Sequence, residues 1–213
     1  CAVSFEQVEQ ACQEVLDKNI RIISLKPKML DDIWDDVQNV ADQLSVKEKG
    51  RKFHEEKESR IKVLQTRCRN GITPKVLTIE WIDPIYIGGM WLPEMIGIVG
   101  GEVCIAESGQ PAPVVNQEDL EKIEPDVVVI KPCGYKLEQT LKELELLKKQ
   151  LPDWEKSPRI YLVDGNSYFN RPGPRILDSL EILAYCTYPD LFLDFGECYK
   201  KGFIELDSDL QLK

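Results

Sequence analysis

Histidine is almost absent from this sequence: His54 stands alone among 213 residues. That excludes the multi-imidazole metal sites of zinc hydrolases. The seven cysteines are scattered and no two are spaced as CxxC, so neither a disulfide framework nor a zinc ribbon is encoded. Most lie among apolar neighbours and read as buried thiols, which favours a reducing compartment, cytoplasmic or organellar. No GxGxxG follows a strand and no P-loop occurs, so a nucleotide cofactor has no support. The longest uncharged apolar stretch falls far short of the about 20 residues that span a bilayer. The first residues lack a charged n-region and apolar h-region, so no signal peptide is expected in this stretch. Basic residues are outnumbered 27 to 37, and a formal net charge of −10 argues against nucleic-acid binding.

What is present reads as a globular protein, with 43% hydrophobic and 30% charged residues. The charge is unevenly spread. Residues 1–46 carry 4 basic and 9 acidic side chains, residues 47–70 carry 9 and 4, and the remainder carries 14 and 24. The basic stretch is expected to be an exposed element, either a solvated helix face or a docking surface.

Ser4 to Leu16 predicts a short helix, and Ile20 to Leu25 (IRIISL) a strand closed by Lys26-Pro27. A lone helix and strand cannot bury both faces of the strand, so the sequence implies an absent remainder of that unit. Ile33, Val37, Val40, Ala41 and Leu44 then form an apolar stripe at helical spacing, resumed by Ile61, Leu64 and Cys68. Read continuously, Asp31 to Asn70 is one helix of about 40 residues and ~60 Å, a strut between two bodies. A hairpin turning near Gly50 is the alternative.

From Pro74 onward strands and helices alternate. Val76–Trp81, Glu102–Ile105, Val127–Ile130, Ile160–Val163 and Phe203–Leu206 are the expected strands. Trp91–Val99, Asn116–Ile123, Tyr135–Gln150 and Pro174–Cys186 are the expected helices. Near-continuous apolar strands between helices predict an α/β lobe with a mostly parallel sheet covered on both faces.

Ligands of such sheets bind beyond the carboxyl ends of the strands. Three loops there carry Trp81, Tyr86, Trp91, Tyr135, Tyr168 and Phe169, a concentration of rings that suits a flat apolar ligand. Local core is the plain alternative for about half of them. Catalytic sets are sparse. Cys133 precedes a helix, where a thiolate is favoured, but His54 lies far off in the charged stretch. Glu80, Asp83 and Asp164 at strand ends either pair as carboxylates or cap their own loops.

Three segments carry a resemblance: EWIDPIYIGGMWLPEMIGIVGG (Glu80 to Gly101), EPDVVVIKPCGY (Glu124 to Tyr135) and VDGNSYFNRPGPRILDSLEILA (Val163 to Ala184). They resemble the cobalamin-binding proteins of the helical-backbone group of periplasmic binding proteins, relatives of the siderophore and haem receptors. The likeness extends to CAVSFEQVEQA and IISLKPKMLDDIWDDV, and so spans nearly the whole chain. It implies two α/β lobes joined by a long helix. Residues 1–28 would end the first lobe, 29–73 form the linker helix, and 74–213 form a Rossmann-like ligand-binding lobe.

The resemblance further implies a non-enzymatic corrinoid receptor, the substrate-binding component of a vitamin B12 ABC importer. Trp81, Trp91, Tyr135, Tyr168 and Phe169 would contact the corrin, with Asp83, Asn166 and Arg171 as polar partners. The periplasm is then the alternative compartment, and residues 1–45 the expected surface of a homodimer. Two positions depart from the pattern. Met90 stands where many relatives carry histidine, so no imidazole reaches cobalt there. Asn170 stands where transporter-linked receptors carry the acid that docks the permease. An assembly module reusing the fold, or an enzyme acting through Asp83, Asp164 or Cys133, are the competing readings.

Overall fold

Alternate residues of the central strands point to opposite faces, and here both faces are apolar. In the computed structural model, which describes residues 5–15, 22–68, 71 and 73–213, this yields one mixed sheet with a core on each side. Three helices come first: α1 (Phe5–Val15), α2 (Leu30–Gln43) and α3 (Lys47–Arg67). Next come β1 (Lys75–Trp81), β2 (Ile85–Ile87), α4 (Leu92–Ile98), β3 (Glu102–Val103), β4 (Val114–Val115), α5 (Gln117–Glu121) and β5 (Val127–Ile130). The chain continues through α6 (Leu137–Lys142), α7 (Leu144–Gln150), β6 (Arg159–Val163), α8 (Ile176–Thr187), a 3-10 turn at Pro189–Leu191, α9 (Leu193–Tyr199) and β7 (Phe203–Leu206).

The strand order is β4-β2-β1-β5-β6-β7, with β3 also on β1. β1, β5 and β6 run parallel in register, Val76 opposite Val127 and Val127 opposite Arg159. β2, β4 and β7 close the edges antiparallel. Val127, Val129, Tyr161 and Val163 face α4 and α8, whereas Leu77, Ile79, Val128, Ile130 and Leu162 face Leu147 of α7, with Leu151 and Trp154. Each such fully buried aliphatic side chain stabilises the fold by about 1.5–3 kcal/mol.

The continuous helix expected over Asp31 to Asn70 is not formed. The chain breaks at Leu44-Ser45-Val46, where Ser45 takes φ 58° and Val46 N donates to Ala41 O at 2.8 Å. The alternative, a hairpin, is the geometry adopted. Trp34 meets Phe53 at 5.9 Å between centroids, and the Lys57 ammonium sits over the Trp34 ring. Gly50 is not the turn but the point of closest approach: a Cβ there would overlap the Gln38 side chain and press on Ala41. The hairpin is driven by burial, since Leu30, Ile33, Trp34 and Leu64 enter the same core as Met95 and Leu180.

The basic face of α3 is likewise committed in part. Arg60 bridges Asp178 and Glu181 of α8, and Arg67 stacks on Phe192 and Phe195 while gripping Asp194. Lys47, Lys49 and Lys52 stay exposed. No helix among the described residues is long and apolar enough to cross a membrane.

Several local expectations need correction. Residues 22–25 form no strand, because no described strand lies beside them to complete a ladder; Ile20 and Arg21, like Ser4, Leu16 and Asn70, lie outside the described residues. The helix expected over Tyr135–Gln150 starts later and breaks at Glu143 into α6 and α7. β2, β4 and α9 were not expected: two- and three-residue strands are too short to show a period.

The thiols are more mixed than their neighbours suggest. Cys186 is buried, Cys68 and Cys104 are half-buried, and Cys133 and Cys198 are exposed. Burial pushes Cys68 and Cys104 up to about 11. A raised folded-state pKa protects stability below the unfolded value near 9, and that contribution is lost as pH climbs toward 11. Urea midpoints are therefore expected to fall between pH 9 and 11. A disulfide-exchange reagent at pH 8 should label Cys133 and Cys198 rapidly and Cys186 only on unfolding. Labelling of Cys186 at the rate of the exposed pair would contradict this packing.

Candidate functional site

β1, β5 and β6 all end at one edge of the sheet, and their carboxyl-terminal loops converge there. Trp81 closes β1 half-exposed, its indole N–H donating to Asp83 O at 3.1 Å. Tyr135 rises from the loop after β5 and meets Trp81 edge to face, 5.2 Å between centroids at 72°. Beside the rings lies a cavity of about 100 Å³, lined by Trp81, Ile82, Asp83, Pro132, Tyr135, Glu143 and Leu146. That is well below the roughly 300–1,000 Å³ of an enclosed ligand pocket. The rings form an open aromatic rim that a flat molecule can meet with the face of one ring and the edge of the other, not a cavity that surrounds one.

The loop after β6 is held against this face by backbone and side chain. Asn166 N donates to Tyr135 O at 2.9 Å, and Gly134 N to Gly165 O at 3.3 Å. A Cβ on Gly165 would overlap the Pro132 carbonyl oxygen, so only glycine allows the two loops to touch. Arg171 donates to Asn166 O at 2.5 Å and to Asn166 Oδ1 at 2.6 Å, which fixes that pair at the rim. Gln150 Nε2 approaches Asp83 Oδ1 at 3.4 Å. Trp81, Asp83, Tyr135, Asn166 and Arg171 thus share one connected rim.

The other expected ligand residues lie elsewhere. Trp91 is 9% exposed and Phe169 1% exposed, both inside the core, and the Trp91 indole donates to Phe169 O at 2.9 Å. Burial takes both rings out of reach of a ligand. Phe169 adopts φ 63°, which turns it inward onto Ser179, whose hydroxyl accepts from its N–H. Tyr168 is half-buried and packs edge-on against Tyr199 at 6.3 Å; burial raises its pKa. Met90 is half-buried against the same core, at φ 53°.

The strand-end acids do not assemble as a pair. Asp164 accepts from Asn166 N, Ser167 N and the Ser167 hydroxyl, a loop cap. Glu80 engages Lys131, and Asp83 meets Gln150. Cys133 is exposed near the rim, whereas the ring contact of His54 is Phe53 on α3. No group of His, Cys, Asp and Glu among the described residues is arranged to hold a metal ion.

The residue that sequence reasoning missed is Lys131. It ends the apolar run VVVI and is 0% exposed, with Nζ 2.7 Å from Asn170 Oδ1 and 3.3 Å from Glu80 Oε2. Asn170 Nδ2 returns two bonds of 3.0 Å, to Lys131 O and Gly165 O. Burial pushes the Lys131 ammonium's pKa down and the Glu80 carboxylate opposes that. A cation at the end of a buried strand was the available signal.

Solved structures share this fold of sheet and helices. The chain is similar to the periplasmic heme-binding protein RhuT from Roseiflexus sp. RS-1 in its apo form, at 22% identity and a TM-score of 0.68, over 89% of this chain and 73% of that one. The chain has the periplasmic binding-protein fold. An ABC transporter substrate-binding protein from Listeria monocytogenes matches at 13% identity and TM-score 0.66, over 87% and 73% of the two chains. The periplasmic vitamin B12 binding protein BtuF of Vibrio cholerae matches at 20% identity and TM-score 0.57, over 85% and 69%. At these identities the likeness is one of fold. No family model matches the sequence, and no curated protein is a significant match. Within the periplasmic binding-protein fold, the Trp81 and Tyr135 rim occupies the carboxyl edge of the parallel strands, where such sheets take ligands.

Proposed function

We propose that this chain is a non-catalytic binding protein for a flat metal-tetrapyrrole, and that its ligand is a corrinoid of the cobalamin type. The observation that carries the reading is the Trp81 and Tyr135 pair, an open aromatic face at the carboxyl edge of β1 and β5. Asp164 and Glu80 are engaged in holding loops, which suits a rigid platform better than a reaction centre. The motifs around Trp81, Tyr135 and Asn166 resemble cobalamin receptors, and the fold is shared with proteins whose names record heme and vitamin B12 binding. On this reading the chain acts as the substrate-binding component of an importer. Asn170 supplies no docking acid, so other surface carboxylates would meet the permease.

The rim residues have distinct roles. Of Trp81 and Tyr135, held edge to face, one stacks on the macrocycle and the other meets it by its edge, while Asp83 and the Asn166–Arg171 pair meet its amide side chains at the periphery. Titration of the chain with cyanocobalamin is expected to quench tryptophan fluorescence saturably and to shift the corrin spectrum. Trp81→Ala and Tyr135→Ala should each weaken binding about tenfold, the effect of losing some 1.4 kcal/mol of stacking. Hemin serves as the comparison and should bind less tightly. Absence of a saturable signal at tens of micromolar cobalamin overturns the proposal, and tighter binding of hemin overturns the corrinoid assignment.

A further inference from the structure

An ammonium buried away from water is costly unless its surroundings answer it, and an apolar side chain of similar length would fill the same space at less cost. Lys131 is nevertheless 0% exposed. Its partners explain what the charge achieves. Glu80 immediately precedes Trp81, Asn170 immediately precedes Arg171, and Lys131 itself lies four residues before Tyr135. One ammonium therefore joins the end of β1, the end of β5 and the loop after β6, each next to a group of the aromatic rim.

Asn170 completes the tie in both directions. Its Oδ1 accepts from the Lys131 ammonium, and its Nδ2 donates to the carbonyls of Lys131 and Gly165. Cys133 N, two residues on, donates to Glu80 O at 3.0 Å, so the loop leading to Tyr135 is sewn to the strand end that carries Trp81. We propose that Lys131 is the positioning residue of the ligand face: through Glu80 and Asn170 it holds Trp81, Tyr135 and Arg171 in the arrangement that binds. This rests on the ligand-binding reading of the rim and adds the group that preorganises it.

The test separates positioning from general stability. Lys131→Met alone strands the Glu80 carboxylate and is expected to destabilise. The double variant Lys131→Met, Glu80→Gln removes that charge, and its melting temperature should return to within a few degrees of the unsubstituted protein. Its loops stay untied. Without ligand, amide exchange at Gly134 and Asn166 should accelerate at least tenfold in the double variant, while Val128 and Leu162 in the sheet centre stay protected. With cyanocobalamin, the double variant should bind at least tenfold more weakly. Unchanged exchange at Gly134 and Asn166, or unchanged affinity despite loosened loops, overturns the positioning role. Should the unsubstituted chain bind no cobalamin, the proposed function falls, and the ligand-free exchange alone decides whether Lys131 is the tie.

Discussion

Trp91→Ala is expected to lower stability by about 3–5 kcal/mol, the usual range for an aromatic removed from a core. The indole is 9% exposed and packs in the core that α4, α8 and the α2–α3 hairpin share. Its loss opens a cavity and also leaves the Phe169 carbonyl, which accepts from the indole at 2.9 Å, without its donor. Trp91→Phe retains most of the apolar volume and should cost about 1–3 kcal/mol, chiefly for that bond. Urea denaturation measures both. The same pair of variants separates a core ring from a ligand contact: cobalamin affinity of Trp91→Phe should match the unsubstituted chain. A fall in affinity with undiminished stability would return Trp91 to the binding face.

Arg60→Met should cost about 3 kcal/mol, at the lower end of the loss caused by removing one partner of a buried ion cluster. The guanidinium reaches Glu181 and Asp178 at 2.7 Å each and Glu56 at 3.2 Å. Tyr199 donates its hydroxyl to Glu181 at 2.5 Å, so the cluster joins α3, α8 and α9. The Arg60 side chain is 23% exposed and that of Asp178 28%, and screening by solvent keeps the effect from the top of the range. Glu181, with a side chain 11% exposed, is left as a nearly buried anion without its cation, holding only the Tyr199 hydroxyl. Adding Glu181→Gln to Arg60→Met should therefore recover more than about 1 kcal/mol. A loss below about 1 kcal/mol in the single variant would mean that the pairs behave as ordinary surface ion pairs.

The parallel centre of the sheet was legible because VVVI and IYLV are apolar on both faces, which helices on both sides must cover. The hairpin turn was not. Leu44-Ser45-Val46 contains neither glycine nor proline, and Ser45 enters the left-handed region without any sequence mark. Gly50, the residue that drew attention, serves helix packing instead. The rim was half legible: glycine-rich loops beside aromatics pointed to the right edge of the sheet. Which rings face outward depends on backbone angles such as φ 63° at Phe169, which composition does not encode. Asn170 shows the same limit. Read alone it is a missing acid, whereas its role depends on Lys131, 39 residues away. An aspartate there would still meet the ammonium but would face two carbonyl oxygens without a proton to offer them.

The docking of α3 also bears on how the chain assembles. The contacts within the α2–α3 hairpin are local and can form early, before distant strands have met. The bonds that attach it, from Arg60 and Arg67 to α8 and α9, join residues 118 to 139 positions apart. Closing such spans is the entropically expensive part of folding, and these bonds gain nothing until the sheet and α8 are in place. The hairpin is thus made early and fastened late. Once fastened it melts with the sheet as one cooperative unit, because its departure would bare the core that Leu30, Ile33, Trp34 and Leu64 share with Met95 and Leu180.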